Sequence, residues 1–216
     1  MIFDLDGTLI DNNSFHLKAW QAFYKKRNRS LTEEEYKQHF NGKTNVDVLA
    51  HVFEDPLSPE ENERYTHEKE DLYREIYKPH IKPVKGLVNL LEQIHIARIP
   101  MAIATSGIKV NIDYMFEHVA IRHYFKEVIY SKDIKRGKPD PEIYFVTAKK
   151  LNVHPENCIV FEDSVPGIQS AKAASMKVIA ITTTHTPEEL HPADKLIHDY
   201  DEISINDIYE FLKQAS

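Results

Sequence analysis

From about residue 84 onwards, short apolar runs alternate with segments of helical periodicity. The runs 100–104, 158–161 and 177–181 are separated by segments such as 143–151 and 165–175, whose apolar spacing is helical. Strands this apolar, separated by helices, indicate a parallel sheet that is covered on both faces. The fold class is therefore predicted as α/β, with a doubly wound, Rossmann-like parallel sheet.

The first apolar run, residues 1–4, is far from the others in sequence but must join the same sheet, because alone it buries nothing. The segment 13–80 reads as helices without a convincing strand. We therefore predict an α/β catalytic core of residues 1–12 and 81–216, interrupted by an all-helical cap of residues 13–80. Only three residues precede Asp4, which suggests that the natural chain has a few more residues before Met1.

Composition limits the classes of function. The 216 residues are 42% hydrophobic and 28% charged, which is typical of a globular protein, and the net charge of −7 argues against a nucleic-acid partner. No apolar run is long enough to cross a membrane, and no signal peptide is recognisable. The lone Cys158 fits a reducing compartment. We expect a cytoplasmic protein, a monomer or weak dimer, with no membrane partner.

The first strand leads directly into two carboxylates, Asp4 and Asp6, followed by Gly7. Open α/β sheets bind ligands at the carboxyl ends of their strands. Close like charges need a cation, a shared proton or separate orientations, so the pair suggests a metal-dependent acidic site. The alternative is an ordinary turn, since Asp and Gly are common turn residues.

Each later predicted strand also ends in residues that carry chemistry. They are Thr105, Ser106 and Gly107 after the second strand, Lys138 after the run 128–130, and Glu162 with Asp163 after the run 158–161. A helix cap, a solvated lysine and a turn would explain them one at a time. Their occurrence in order at successive strand ends favours phosphoryl transfer, which needs a nucleophile, a metal site and donors to phosphate oxygens.

With these motifs the chain resembles the haloacid dehalogenase superfamily over nearly its whole length. The helical insert resembles the small α-helical cap of the β-phosphoglucomutase-like phosphatases. The resemblance implies that Asp4 is the nucleophile that forms an aspartyl-phosphate, and that Asp6 is the general acid and then the general base. It implies that Thr105, with the amides of Ser106 or Gly107, holds phosphate oxygens, and that Lys138 neutralises charge.

The same resemblance implies a Mg²⁺ cofactor. Its ligands would be a carboxylate oxygen of Asp4, the backbone carbonyl of Asp6, and Asp163, with Glu162 as a further or outer ligand. Magnesium prefers such oxygen ligands. Because Asp6 is present, the motif resembles that of a phosphatase rather than a dehalogenase.

Four residues of the predicted cap, namely His16, Lys43, Asn45 and Lys69, are candidates for binding the substrate. His16 and Lys69 match positions that β-phosphoglucomutases use, although packing or solvation would also explain them. Asn45 stands where those mutases have a phosphate-binding Arg, and an Asn cannot replace a guanidinium, although Lys43 could partly compensate. We therefore predict a phosphatase of a small phosphate monoester, a sugar or polyol phosphate. The alternatives are a β-phosphoglucomutase-type isomerase and a binding protein that has lost its chemistry.

Overall fold

The computed structural model describes residues 1–53 and 55–213. Within them, a single parallel sheet is built from six strands. Their bounds are β1 Ile2–Phe3, β2 Ala102–Ala104, β3 Glu127–Ile129, β4 Ile159–Glu162, β5 Lys177–Ile181 and β6 Lys195–Ile197. The spatial order is β3-β2-β1-β4-β5-β6, and every neighbouring pair is parallel. This order is that of a doubly wound sheet, so the predicted fold class is confirmed.

Nine α-helices are found in the described part of the chain. Four lie between β1 and β2: α1 Asn13–Lys25, α2 Glu33–His39, α3 Asn45–Val52 and α4 Pro59–Tyr77. The other five are α5 Leu87–Ile96, α6 Lys109–His118, α7 Glu142–Leu151, α8 Val165–Ala173 and α9 Ile205–Lys213. None of the helices in residues 1–53 and 55–213 combines the length and apolar character needed to cross a bilayer.

Alternate residues of the central strands point into two apolar layers, one on each face of the sheet. Phe3 stacks on Phe161 of the neighbouring strand, with ring centroids 4.6 Å apart, and packs in the layer that includes α5. Ile2 and Val160 point to the opposite layer, which includes α7 and α8. Each layer shields one face of the sheet from water, which accounts for the apolar runs in the sequence.

The helical cap has a separate apolar cluster. Trp20 and Phe23 of α1 pack with Leu49 of α3 and with neighbouring buried aromatic residues. The longest cap helix, α4, begins with a complete capping box: the Ser58 hydroxyl accepts from the Glu61 amide, and the Glu61 carboxylate accepts from the Ser58 amide. The cap is thus folded around its own core.

The two chain segments that connect the cap to the sheet are paired with each other. The Val84 amide donates to the Leu9 carbonyl at 3.0 Å, and Ile10 forms an antiparallel bridge with Pro83. We name residues 9–10 and 83–84 the stem. The predicted domain boundaries on either side of it stay a prediction, and their ranges include residues 54 and 214–216, outside the described part.

The sequence prediction did not include β6, α6 or α9. β6 is only three residues long, and Leu196 at its centre is exposed, so its pattern does not resemble the buried strands. Among the predicted strands, β2 is shorter than the run 100–104, because pairing with β1 starts only at Ala102. Cys158 is buried and free, as the sequence indicated.

Candidate active site

Chain connections run in opposite directions on the two sides of β1, which makes the carboxyl end of β1 and β4 the switch point of the sheet. Asp4 follows β1 directly, and its amide donates to the Phe161 carbonyl of β4 at 3.0 Å. Glu162 is the last residue of β4, and Thr105 follows β2. The strand-end residues predicted from the sequence therefore lie at one edge of the sheet.

Lys138 joins the carboxylates of two strands. Its Nζ donates to Asp4 Oδ1 and to Glu162 Oε1, both at 2.6 Å, and to the Ala104 carbonyl at 3.3 Å. Burial works to lower the pKa of Lys138, but the charges of Asp4 and Glu162 outweigh it and hold that pKa well above its usual value. Lys138 is therefore a permanent cation beneath Asp4.

Asp4 is a buried carboxyl in a crowded acidic site. Burial raises its pKa to about 8, although the nearby Lys138 acts in the opposite direction. Asp163 has a pKa well above its usual value for the same reason, burial, with added repulsion from Glu162 and Asp4. Burial thus disfavours ionisation of both carboxyls, and Lys138 is the only lysine among the three acidic groups described here.

The carboxylates of Asp4, Glu162 and Asp163 each place an oxygen within 4.8 Å of the others. This arrangement of oxygen donors fits a hard divalent cation such as Mg²⁺. Glu162 differs from the other two because its oxygens already accept from Lys138, the Tyr144 hydroxyl and the backbone amides of 163 and 164. Asp4 and Asp163 are therefore better placed than Glu162 to contact an ion directly.

Asp6 has a different environment from Asp4. Asn12 Nδ2 donates to Asp6 Oδ1 at 2.5 Å, and His16 Nε2 lies 3.4 Å from the same oxygen. Burial alone would raise the pKa of Asp6, but the interactions with His16 and Asn12 outweigh it and leave the pKa lowered. Two carboxyls only two residues apart thus have pKa values shifted in opposite directions, which is a common property of acid–base sites.

The loop after β2 faces Asp6. The Gly107 amide donates to Thr105 Oγ1 at 3.0 Å, and a Cβ at residue 107 would lie 3.7 Å from Asp6 Oδ2. The Ser106 hydroxyl donates to the Gly42 carbonyl of the cap at 3.0 Å. This loop therefore connects the strand-end residues with the cap.

Ten of the twelve residues predicted from the sequence line one cavity between the cap and the sheet. They are Asp4, Asp6, His16, Lys43, Asn45, Lys69, Thr105, Ser106, Gly107 and Asp163. The remaining two are Lys138, which contacts Asp4, and Glu162, which contacts Lys138. The cavity has a volume of about 60 Å³.

The cap end of this cavity is a hydrogen-bonded cluster. Lys69 Nζ lies 2.8 Å from His16 Nδ1 and donates to Glu70 Oε1 at 2.9 Å. Asn45 Nδ2 donates to the same Glu70 oxygen at 2.7 Å. Asn45 therefore contacts the carboxylate of Glu70, another residue of the cap.

Sequence reasoning missed several polar residues of the cavity. Asn13 Nδ2 donates to Asp163 Oδ2 at 2.8 Å, and Asn12 binds Asp6 as described. Glu70 and Asn111 also line the cavity, and Asn111 Nδ2 donates to Glu70 Oε2 at 2.6 Å. Asn12 and Asn13, only a few residues after the Asp4 and Asp6 pair, were a usable signal, whereas the pairing of Glu70 with Asn111 depends on how α4 packs on α6.

A family model described as haloacid dehalogenase-like hydrolase matches residues 1–181. The chain belongs to the haloacid dehalogenase-like hydrolases. It is 31% identical to a validoxylamine A 7'-phosphate phosphatase of Streptomyces hygroscopicus subsp. limoneus, over 94% of each chain. It is 28% identical to a fructose-1-phosphate phosphatase of Escherichia coli, over 84% of this chain and 95% of that protein.

The fold of this haloacid dehalogenase-like hydrolase is also similar to the crystal structure of a β-phosphoglucomutase from Clostridium difficile. The TM-score is 0.88 and the identity 25%, over 99% of this chain and 96% of that one. The predicted resemblance to the superfamily and to its β-phosphoglucomutase-like members is thus confirmed. Because phosphatase and mutase names both occur among the similar proteins, the choice between these reactions depends on the residues of the site.

Proposed function

We propose that this chain is a Mg²⁺-dependent phosphatase that hydrolyses a small phosphate monoester, a sugar or polyol phosphate, through an aspartyl-phosphate. The observation that carries the proposal is the environment of Asp4. Its Oδ1 is bound by Lys138, the carboxyl lies beside Asp163, and the cavity beyond is lined by Asp6 and Thr105. A nucleophile, an acid–base group and donors for phosphate oxygens thus surround one small space.

In the first step, an oxygen of Asp4 attacks phosphorus while the bond from phosphorus to the ester oxygen breaks. Lys138 holds Oδ1, so Oδ2 is the oxygen left to attack. The Thr105 hydroxyl and the amide of Ser106 or Gly107 bind the phosphate oxygens, where negative charge concentrates in the transition state. Asp6 donates a proton to the leaving oxygen, so that an alcohol departs.

In the second step, water attacks the phosphorus of the aspartyl-phosphate, Asp6 takes a proton from that water, and the bond to Asp4 breaks. The lowered pKa of Asp6 suits the role of base. The first step needs Asp6 in its protonated form, and a dianionic phosphate bound beside it raises its pKa. His16, at 3.4 Å from Asp6 Oδ1, is placed to exchange protons with it.

A divalent cation fits the excess negative charge of the site. Asp4 and Asp163 would hold it, with Glu162 as an outer residue, since its oxygens are already engaged. When bound, Mg²⁺ supplies charge neutralisation between the carboxylates and the phosphate. The single lysine among three clustered carboxylates is what supports this assignment.

The cap encloses the site. A volume of about 60 Å³ is far below the roughly 300–1,000 Å³ of typical small-molecule sites, so substrate entry requires the cap to move away from the sheet. Phosphatases of small carbohydrate-type phosphates among the relatives, such as the fructose-1-phosphate phosphatase, support the substrate class. The buried, unpaired Cys158 agrees with a cytoplasmic location, which is part of the proposal, as is a monomer or weak dimer.

The mutase alternative has less support from the site. A phosphomutase must hold a second phosphate at its cap, and Asn45, at the position of the mutase Arg, donates to Glu70 instead. Mutase activity would appear as conversion of a sugar 1-phosphate to the 6-phosphate, stimulated by a sugar bisphosphate and without net phosphate release.

The test is a panel of phosphate esters with Mg²⁺, including hexose 1- and 6-phosphates, hexitol phosphates, p-nitrophenyl phosphate and pyrophosphate. We expect Mg²⁺-dependent phosphate release from sugar or polyol monophosphates. Asp4→Asn should lower kcat by at least about 10³-fold without unfolding the protein, because the nucleophile is lost. The exposed Asp113→Asn is the matched control and should leave kcat unchanged. Substantial turnover by Asp4→Asn would exclude Asp4 as the nucleophile.

A further inference from the structure

The cap end of the cavity contains a buried carboxylate that the proposed chemistry does not use. Glu70 is 2% exposed, although it lies on α4, a helix with many charged residues on its surface. Its Oε1 accepts from Lys69 and Asn45, and its Oε2 accepts from Asn111 at 2.6 Å. A carboxylate is buried in this way only with strong hydrogen-bond partners, so the cap holds Glu70 in a fixed position.

Glu70 lines the same cavity as Asp6, the residue proposed to protonate the leaving group. Asp6, which would protonate the leaving oxygen, lies 3.4 Å from His16. On the other side of the His16 ring, Lys69 is 2.8 Å away, and Lys69 is 2.9 Å from Glu70. Glu70 is thus three contacts from Asp6 and lines the same cavity, as do Trp20 and Val48.

The cluster offers acceptors to a substrate. An ionised carboxylate has about four acceptor positions, and three of those on Glu70 are filled by protein donors. Because Asn45 must turn its Nδ2 towards Glu70, its Oδ1 points elsewhere, and it accepts no hydrogen bond from the described residues. A hydroxyl group, which can donate, is the natural partner for both oxygens.

The two cations that are linked to Glu70 by hydrogen bonds, directly or through Asn111, are already engaged. Lys69 is paired with Glu70, and Arg74 is paired with Asp71 and donates to Asn111 Oδ1 at 2.7 Å. Lys43 also lines the cavity, but it follows Gly42, whose carbonyl is bound by Ser106 at the strand-end side. A second anionic group beside Glu70 would therefore meet acceptors and a negative charge.

We propose that Glu70 is the specificity-determining residue of the cap, where its carboxylate accepts a hydrogen bond from a hydroxyl of the leaving group. The inference rests on the proposed function and narrows it. The substrates are monophosphates of neutral polyhydroxylated compounds, and esters with a second phosphate at the distal end are rejected.

The first test uses the unaltered enzyme and compares kcat/KM for three compounds: the best hexose monophosphate of the panel, its deoxy analogues, and the corresponding hexose bisphosphate. We expect one deoxy analogue and the bisphosphate each to be poorer by about 10- to 100-fold, the range for a hydrogen bond to a charged group. Equal kcat/KM for monophosphate and bisphosphate would overturn the inference. A higher kcat/KM for the bisphosphate than for the monophosphate would also overturn it. If Lys43→Ala abolished that preference, Lys43 would be the residue that binds the distal phosphate.

The second test is Glu70→Gln, with exposed Glu75→Gln on the same helix as control. Glu70→Gln should lower kcat/KM for the hexose monophosphate by about 10- to 100-fold and reduce the rejection of the bisphosphate. p-Nitrophenyl phosphate, which has no hydroxyl on its leaving group, should change by less than about 3-fold. An equal loss on both substrates would indicate a purely structural role and overturn the inference.

The two proposals fail in different ways. If no ester is hydrolysed by the unaltered enzyme with Mg²⁺, the proposed function is wrong. If p-nitrophenyl phosphate and sugar monophosphates are hydrolysed but neither deoxy analogues nor bisphosphates are discriminated, the function stands and the role of Glu70 is wrong. Thermal unfolding of Glu70→Gln shows whether that variant is folded, and the comparison of substrates on the unaltered enzyme does not depend on it.

Discussion

The two ends of the cavity are built on different electrostatic principles. At the strand ends, three carboxylates (Asp4, Glu162 and Asp163) surround one ammonium group, that of Lys138, so negative charge is in excess. At the cap, Glu70 is matched by Lys69 and two asparagine amides. We call these the strand-end cluster and the cap cluster. The first is incomplete without a cation, whereas the second is nearly satisfied by protein groups alone.

Because of this difference, we expect the two clusters to have different roles. Unbalanced, buried charge stabilises a charged ligand or transition state strongly, at a cost to the stability of the fold. A satisfied polar cluster discriminates between neutral groups by geometry and contributes less to the rate. Changes in the strand-end cluster should therefore have larger effects than changes near the cap.

Apart from the loss of the nucleophile proposed for Asp4, the largest effect is expected for Lys138→Met. It leaves Asp4 and Glu162 buried without their cation, and breaking a buried pair in this way costs about 3–5 kcal/mol of the free energy of unfolding. Activity should fall by about 10²- to 10³-fold, since the charge beside the proposed nucleophile is lost. Denaturant unfolding in EDTA and steady-state kinetics measure the two effects.

The control for that variant is Lys149→Met, at an exposed position of α7, which should change stability by less than about 0.5 kcal/mol. If Lys138→Met were as stable and active as the control, the strand-end cluster would not depend on its charge balance.

Mg²⁺ should stabilise the enzyme more at pH 9 than at pH 6. The pKa of Asp4 is raised to about 8 by burial, so at pH 6 Asp4 binds a proton that the ion must displace, and the raised pKa of Asp163 acts in the same direction. A carboxyl with a raised pKa favours the folded protein below its unfolded value, and this contribution is lost as the pH rises through about 8. The metal-free protein therefore weakens over this range, and Mg²⁺ restores its stability.

The size of this effect follows from mass action. At about 100 times its dissociation constant, Mg²⁺ adds about 2.7 kcal/mol, or roughly 5–10 °C in Tm for a chain of this length. The measurement is Tm with Mg²⁺ or EDTA at both pH values. Asp163→Asn should abolish the difference, and Asp113→Asn should retain it. A Mg²⁺ shift that is greatest at pH 6 would contradict the raised pKa values.

The smallest effect is expected for Ser106→Ala, at the boundary between the clusters. This change removes the hydrogen bond from the Ser106 hydroxyl to the Gly42 carbonyl but keeps the backbone amide proposed to bind phosphate. A neutral hydrogen bond contributes about 0.5–1.5 kcal/mol, so kcat/KM should fall by less than about 10-fold. Steady-state kinetics would detect this change. A loss of kcat/KM as large as that of Lys138→Met would contradict the expectation that changes near the cap have smaller effects.

The strand-end cluster was largely predictable from the sequence. Residues at the carboxyl ends of parallel strands must meet at one edge, so Asp4, Thr105, Lys138 and Asp163 could be grouped before their distances were known. The first strand and the last predicted one, 177–181, were recognisable because they are short and apolar. Their roles in catalysis stay predictions until the variants are measured.

The cap cluster was much less predictable. Lys69 and Asn45 were predicted as substrate-binding candidates, but Glu70 and Asn111 were not, because their contact depends on the rotation of α4 against α6. A helix of mixed charges gives no sign of which of its carboxylates is buried. β6 and α9 were missed because short or half-exposed elements lack the strong periodicity on which such predictions depend.

The paired stem joins the cap to the sheet close to the carboxylates proposed to be catalytic. Leu9 and Val84 are hydrogen-bonded to each other only a few residues from Asp6, so a rotation about this point moves nearby atoms little and distant ones far. If the cap opens by rotation about the stem, its substrate-facing helices move farther than the residues close to Asp6. Each opening can admit a new ester while the reacting groups stay in register.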